Sequence, residues 1–248
     1  MPGQCVAVVS GKGGTGKTSF TAGVGSALAL SGRRVLCLDC DVALRNLDLA
    51  LGLTDRALMD FTDVAQGRCS LESAAVEHPE IPGLYLLTAP VRSRGRPVTD
   101  EQMAALLDQA RQGFDYCFLD APAGLGEGFE LSTCAADRVV VVATADASSL
   151  RDAQHTVMEL QRFPTGRLHL TVNRVRKKML RTMHTTIDDA IDRAGLPLIG
   201  VIPEDDALPL SLNRGAPLLL NSRRGAAQAY RNIARRLEGQ KVPLLRIR

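Results

Sequence analysis

Ser10-Gly11-Lys12-Gly13-Gly14-Thr15-Gly16-Lys17-Thr18-Ser19 decides how this chain folds. From Gly11 to Thr18 it satisfies the phosphate-loop pattern Gly-x4-Gly-Lys-Thr. A short apolar run, Cys5–Val9, precedes it and reads as a strand, and a helical pattern from Lys17 to about Leu30 follows. In that setting the glycines let backbone N–H groups curl around phosphate oxygens, a concavity that side chains would block. The helix N-terminus adds partial positive charge at the same point. Lys17 is expected to reach the β- and γ-phosphates of a nucleotide, and the Thr18 hydroxyl to ligate Mg²⁺. These ten residues hold two of only five lysines, whereas positive charge elsewhere is nearly all arginine.

Outward from the loop, apolar runs alternate with helical patterns. Strands are expected at Cys5–Val9, Arg34–Asp39, Leu84–Thr88, Tyr116–Asp120, Arg138–Ala143, His169–Val172 and Leu198–Ile202. Their near-continuous apolarity fits strands buried on both faces. Helices are expected at Thr18–Leu30, Asp100–Gln112, Ser148–Gln161, Met183–Arg193 and Arg223–Leu237, with Gly32 and Gly195 as helix-ending glycines. The alternation implies an α/β fold: a single-domain, doubly wound, mainly parallel sheet with helices on both faces. Residues 1–240 form that domain and 241–248 a short basic-apolar tail. Ligands in such sheets sit at the carboxyl ends of strands.

The 248 residues suffice to bury a large core without disulfides or structural metal. The formal charge of +3 points neither to a dedicated nucleic-acid binder nor to an acidic tail. The first strand begins within five residues, with no basic n-region or apolar h-segment, and no run approaches 18 apolar residues. A cytoplasmic protein without a transmembrane segment is expected. Of six cysteines only Cys37 and Cys40 form a close pair, with no second pair to complete a four-ligand metal site. Cys5, Cys37, Cys117 and Cys134 are read as buried, reduced and hydrophobic.

Two further strand ends carry acids. Asp39-Cys40-Asp41 closes the second strand, and a pair of carboxylates beside a triphosphate can organise Mg²⁺ and orient the attacking water. The run Phe114–Asp120, followed by Ala-Pro-Ala-Gly, ends in a second Mg²⁺-supporting acid, Asp120. Gly124 is placed to donate its N–H to the γ-phosphate and so to sense it.

Lys-Gly-Gly-x-Gly-Lys-Thr at 12–18 is the deviant Walker A pattern, with Lys12 as its signature lysine. Together with Leu38–Leu49, Asp120–Gly124, Val201–Asp205 and Ser211–Pro217, it makes the chain resemble the MinD branch of the MinD/ParA family over roughly residues 4–240. The resemblance implies a Mg²⁺-dependent ATPase of slow turnover whose two protomers sandwich two ATP molecules. Lys12 would reach across to the partner's phosphates, in the manner of an arginine finger. It places Gly11, Gly13, Gly14, Thr15, Gly16, Lys17, Thr18 and Ser19 on the phosphates and Asn46 at the dimer contact. Thr18, Asp39 and Asp120 fall around the metal. Asp39 and Asp41 are the water-orienting and Mg²⁺-organising pair, with their roles undivided. Asn173 matches the adenine-reading asparagine, with Arg174 beside it and Pro203 and Glu204 lining the base pocket. The implied function is a homodimerisation switch for spatial positioning in cell division or a related process, stimulated by a partner protein.

Two segments depart from that pattern. The chain stops at Lys241-Val-Pro-Leu-Leu-Arg-Ile-Arg248, too short and Pro-broken for an interfacial helix, and is expected to fray or form an edge strand while touching anionic lipid at most weakly. A basic run, Arg174, Arg176, Lys177, Lys178 and Arg181, reads as a solvated loop or docking surface. It is also the feature behind an alternative, a ParA-like DNA-segregation ATPase binding DNA nonspecifically. Arg223, Arg224, Arg231, Arg235 and Arg236 are further candidates for that face. A metallochaperone is a third, weaker reading.

Overall fold

The computed structural model describes residues 2–91, 97–183, 186–245 and 247. Its strands are β1 (Gln4–Val9), β2 (Val35–Asp39), β3 (Val76–Glu77), β4 (Leu84–Leu87), β5 (Tyr116–Asp120), β6 (Arg138–Thr144), β7 (Leu168–Val175) and β8 (Leu198–Pro203). They form one sheet in the order β3-β4-β2-β5-β1-β6-β7-β8, parallel throughout except for the antiparallel β3–β4 pair. The longer helices are α1 (Lys17–Leu30), α5 (Asp100–Gly113), α7 (Ala147–Glu159), α9 (Ile187–Ala194) and α12 (Gly225–Leu237). Shorter ones are α2 (Leu47–Ala50), α3 (Phe61–Ala65), α4 (Leu71–Ala74), α6 (Glu127–Thr133), α8 (Lys177–Thr182), α10 (Ala207–Asn213) and α11 (Leu218–Asn221).

The pleat explains the apolar runs. Val6 and Val8 of β1 point into a core with Phe20 and Val24 of α1 and Tyr230 of α12. Ala7 and Val9 point to the other face, against Leu150 and Ala153 of α7. A strand covered on both faces has no polar side to alternate with. α1 and α12 approach so closely that a Cβ on Gly23 would overlap the Tyr230 ring. The stripe Ala226, Tyr230, Ile233 and Leu237 is buried as expected.

Differences from expectation lie in short or marginal elements. The strand beginning near His169 continues through Asn173 to Val175, and the helix expected at Arg223 starts at Gly225. The helix expected over Met183–Arg193 is α9, starting at Ile187 behind a Thr186/Asp189 capping box; part of the expected span falls on 184–185, outside the described residues. The basic run is not a simple loop, because Lys177–Thr182 forms α8, which buries none of its residues. Among its described residues the tail forms no strand. Arg236 donates to Ile199 O at 2.8 Å and to Val242 O at 2.9 Å, pinning the tail beside the β8 edge. Leu245 and Ile247 pack on the cores of the two sheet faces. Arg246 and Arg248 lie outside the described residues.

Candidate functional site

Three strand ends meet under the loop. Asp39 and Asp120 are direct register partners at the tips of β2 and β5, and Asp120 is also registered with Val8 of β1. The loop from Ser10 curls over them through two left-handed glycines, Gly14 at φ 77° and Gly16 at φ 94°. A Cβ on Gly16 would overlap the Asn173 amide as well as strain the backbone. Lys17 opens α1, is 8% exposed, and donates its Nζ to Ser10 Oγ at 2.9 Å, while Ser10 Oγ donates to Lys12 O at 2.7 Å. The loop is thus closed on itself by its own two polar ends.

The carboxylates under it are buried and poorly neutralised. Burial lifts Asp120 to about 7; the negative charges of Asp39 and Asp41 add to this, while the Thr18 hydroxyl and Lys17 oppose it. Asp39 is lifted to about 6, again chiefly by burial, against the N–H groups of Asp41 and Leu47 that donate to it at 2.9 and 3.1 Å. Burial lowers Lys17, with Asp120 and Asp41 opposing. Asp41 sits higher, accepting the N–H groups of Ala43 and Leu44 on one oxygen, Oδ1. Asn46 follows, exposed at the start of α2 and making no cap with its side chain. A hydroxyl and two carboxylates, all hard oxygen donors, suit Mg²⁺. The Thr15 hydroxyl, buried and without a hydrogen-bond partner, marks the same loop as shaped for a further polar group.

Lys12 behaves differently from Lys17. Its side chain is 35% exposed and its Nζ lies 3.2 Å from Asp146 Oδ1, on the far side of the β1 end. Asp146 caps α7 by accepting Ser149 N–H at 3.0 Å and takes the Thr144 hydroxyl on its other oxygen; these contacts and Lys12 hold it below the usual carboxylate range against the opposing effect of burial. Gly124 has φ 90° and its N–H donates to Ser10 O at 3.3 Å, beside the loop.

On the opposite flank, β7 carries Asn173 further than expected. Instead of following the strand it lies inside it, at an irregularity in the β7–β8 register between Val172 and Val175, with Arg174 at φ 57°. Its Nδ2 donates to Thr15 O at 2.7 Å and its Oδ1 accepts Arg174 N–H at 2.9 Å. Arg174 reaches back to Gly14 O at 3.1 Å and pairs with Glu204 at 3.6 Å. Pro203, at the end of β8, is registered with Val175. Asn173 and Arg174 thus touch the loop, Glu204 is linked to it through Arg174, and Pro203 lies on the neighbouring strand.

Sequence reasoning missed Ser10 and Asp146. Both follow the rule that polar residues ending parallel strands belong to the site: Ser10 follows β1, and Asp146 follows β6 as a Ser149-linked helix cap. Of the cysteines, Cys5, Cys37, Cys40 and Cys117 are buried and free, but Cys134 is only half-buried, at the C-terminal end of α6 rather than in the core. Among the described residues no group of three or more His, Cys, Asp or Glu side chains could hold a metal by itself.

The CobQ/CobB/MinD/ParA nucleotide binding domain matches residues 6–218. The chain belongs to this family. Within it, the chain is 38% identical over 244 residues to the septum site-determining protein MinD of Synechocystis, covering 98% of this chain and 92% of that protein. Among solved structures of the family, the MinC:MinD cell division protein complex of Aquifex aeolicus superposes with a TM-score of 0.90 at 35% identity, covering 98% and 99% of the two chains. MinD of Pyrococcus horikoshii, solved with Mg-ADP, gives a TM-score of 0.82 at 27% identity, covering 95% and 96%. The family match includes the loop, Asp39, Asp120, Asp146, Asn173 and Glu204, and ends at Leu218, before α12 and the tail.

Proposed function

We propose that this chain is a slow, Mg²⁺-dependent ATPase that dimerises around ATP and acts in placing the division site. The observation that carries this reading is the divergence of two lysines in one loop: Lys17 is folded under the loop, and Lys12 is turned out to Asp146. A cation turned away from its own phosphate site is available to a neighbour's.

In this reading Lys17 leaves Ser10 for the β- and γ-phosphates, and the loop N–H groups from Gly11 to Thr18, with Ser19, enclose them. Thr18, Asp39 and Asp120 would hold Mg²⁺, which supplies charge neutralisation to the phosphates. Asp39 is tied by both oxygens to backbone N–H groups and so anchors the segment to Leu47. Asp41, with one oxygen outside its turn, orients the attacking water. The Asn173 Oδ1 keeps a second lone pair for the adenine amino group, between Arg174, Pro203 and Glu204. Lys12 must exchange Asp146 for the partner's phosphates, with Asn46 at the same face, so dimerisation reports ATP and hydrolysis reverses it. Gly124 exchanges Ser10 O for the γ-phosphate.

Residues 1–240 constitute the ATPase unit. Relatives named as septum-site proteins, and one found with MinC, support a stimulating or effector protein as partner. No helix among the described residues is long and apolar enough to cross a membrane, so we place the protein in the cytoplasm, recruited to a surface through its partner. The DNA-segregation alternative rests on the basic run, of which Arg174 and Arg176 already pair with Glu204. ATP turnover and oligomeric state of Lys12→Ala test the proposal. Lost turnover with retained nucleotide binding supports it; native turnover contradicts the trans role.

A further inference from the structure

Lys177 and Lys178 on α8, and Arg223 and Arg224 at the turn into α12, open onto one cleft of about 1150 Å³. All four are exposed, and none has a side-chain ion pair or hydrogen bond among the described residues. Arg176 joins them, paired at 3.2 Å with Glu204, the one carboxylate among the described lining residues and one already shared with Arg174 at 3.6 Å. Five cations against one carboxylate, drawn from elements 45 residues apart, make a convergent positive field that packing does not require. The charge is felt nearby: Arg231 is lowered by burial first and by Arg223 second. Val175, Pro203, Leu245 and Ile247 supply an apolar part of the lining, the last two from the tail.

We propose that this cleft is a second anion site, binding a soluble polyphosphate, either inorganic or the phosphate chain of a nucleotide. Three guanidinium forks and two ammonium groups match several phosphate oxygens at once, where a single carboxylate would leave most of them unanswered. No residue from Ser10 to Ser19 lines it, so its cations lie off the phosphate loop, but through Pro203 and Glu204 it shares a wall with the proposed base pocket. It nevertheless adjoins that loop through Glu204, whose other partner Arg174 holds Gly14 O. An anion competing with Glu204 for Arg176 therefore acts one ion pair away from the loop. The apolar lining favours the nucleotide source over the inorganic one.

Calorimetric titration of the full chain with inorganic tripolyphosphate tests this, with nucleoside triphosphate as a second arm. Native protein is expected to take up two tripolyphosphates, and Lys17→Ala, with its loop site disabled, to keep one. In the Lys17→Ala background, Arg223→Gln/Arg224→Gln and, separately, Lys177→Gln/Lys178→Gln should each weaken the remaining site about tenfold or more. In the Lys17→Ala background, nucleotide binding that is tighter than that of tripolyphosphate and is weakened by either double substitution identifies the nucleotide source; equal binding identifies the inorganic one. The proposal is overturned if Lys17→Ala binds no tripolyphosphate, if both double substitutions leave its affinity within about twofold, or if only duplex DNA binds. The four cations are exposed, so melting midpoints should match the native chain. Turnover that depends on Lys12 is read in separate assays, so failure here and failure of the ATPase reading remain distinguishable.

Discussion

The loop corner and the β8 side of the molecule use the same residue types to opposite ends. At the corner, charges meet one another: buried Lys17 lies near Asp120 and Asp41, and partly exposed Lys12 lies on Asp146. At the β8 side, arginines either grip backbone carbonyls, as Arg236 does with Ile199 and Val242, or stand open in the cleft, as Arg223 and Arg224 do. The difference is solvent. A buried charge costs heavily unless it is paired, which makes the corner a site whose occupants are nearly dictated. An exposed arginine costs little wherever it stands, so its purpose is set by which other elements the fold brings beside it.

The comparison breaks most visibly at Lys12. Lys12→Ala is expected to lower ATP turnover by about 10³-fold or more, while nucleotide affinity of the single chain changes little. Steady-state hydrolysis and equilibrium titration read the two effects separately. Turnover within a small factor of native would mean that the outward lysine is merely a surface ion pair.

Next comes the pH response of the nucleotide-free chain. Asp39 and Asp120, at about 6 and about 7, bind protons more tightly folded than unfolded. Their contribution to stability is complete below about pH 4 and is lost as pH rises through those values. His78 and His169, lowered mainly by burial, act in the opposite direction. The difference between native and Asp120→Asn isolates the carboxylate. The melting midpoint of the substituted chain should gain on the native one by several degrees between pH 5 and pH 8. A gap that stays constant would show that Asp120 is already neutralised in the fold.

On the β8 side, Arg236→Ala removes the guanidinium that joins the tail to Ile199 and Val242, and should cost about 2 kcal/mol in denaturant unfolding. Protease cleavage within 240–245 should accelerate in parallel; unchanged cleavage would show that Leu245 and Ile247 hold the tail by themselves. The smallest effect is expected at Tyr230. Its hydroxyl is buried without a hydrogen-bond partner, so Tyr230→Phe should be neutral or stabilising by up to about 1 kcal/mol. A loss of 2 kcal/mol or more would mean the hydroxyl has a partner, such as a bound water.

How much was legible in the sequence follows the same division. The arrangement of β1, loop, α1, β2 and β5 could be read because strands buried on both faces leave continuous apolar runs, and each run leads into a polar residue at the candidate site. α2, α3, α4 and β3 span only two to five residues each, too few to establish a period. Their visible signals were caps, such as Asp60 with Asp63 and Ser70 with Ser73. α8 fully buries no residue and packs on the core only through Leu180, too little to leave an apolar period to read. Asn173 was placed past its strand because the left-handed turn at Arg174, which lets β7 run on to Val175, carries no glycine to announce it. Asp146 depends on a lysine 134 positions away, a relation only the folded sheet creates. The cleft is of the same kind: α8 and the turn into α12 are separate until β7 and β8 are paired.

Sedimentation of the full chain saturated with Mg²⁺ and a non-hydrolysable ATP analogue tests the dimer most directly. The expected species has twice the 26.6 kDa of one chain and returns to a single chain when ADP replaces the analogue. A mass that stays at 26.6 kDa at high protein concentration, with analogue bound, would contradict it.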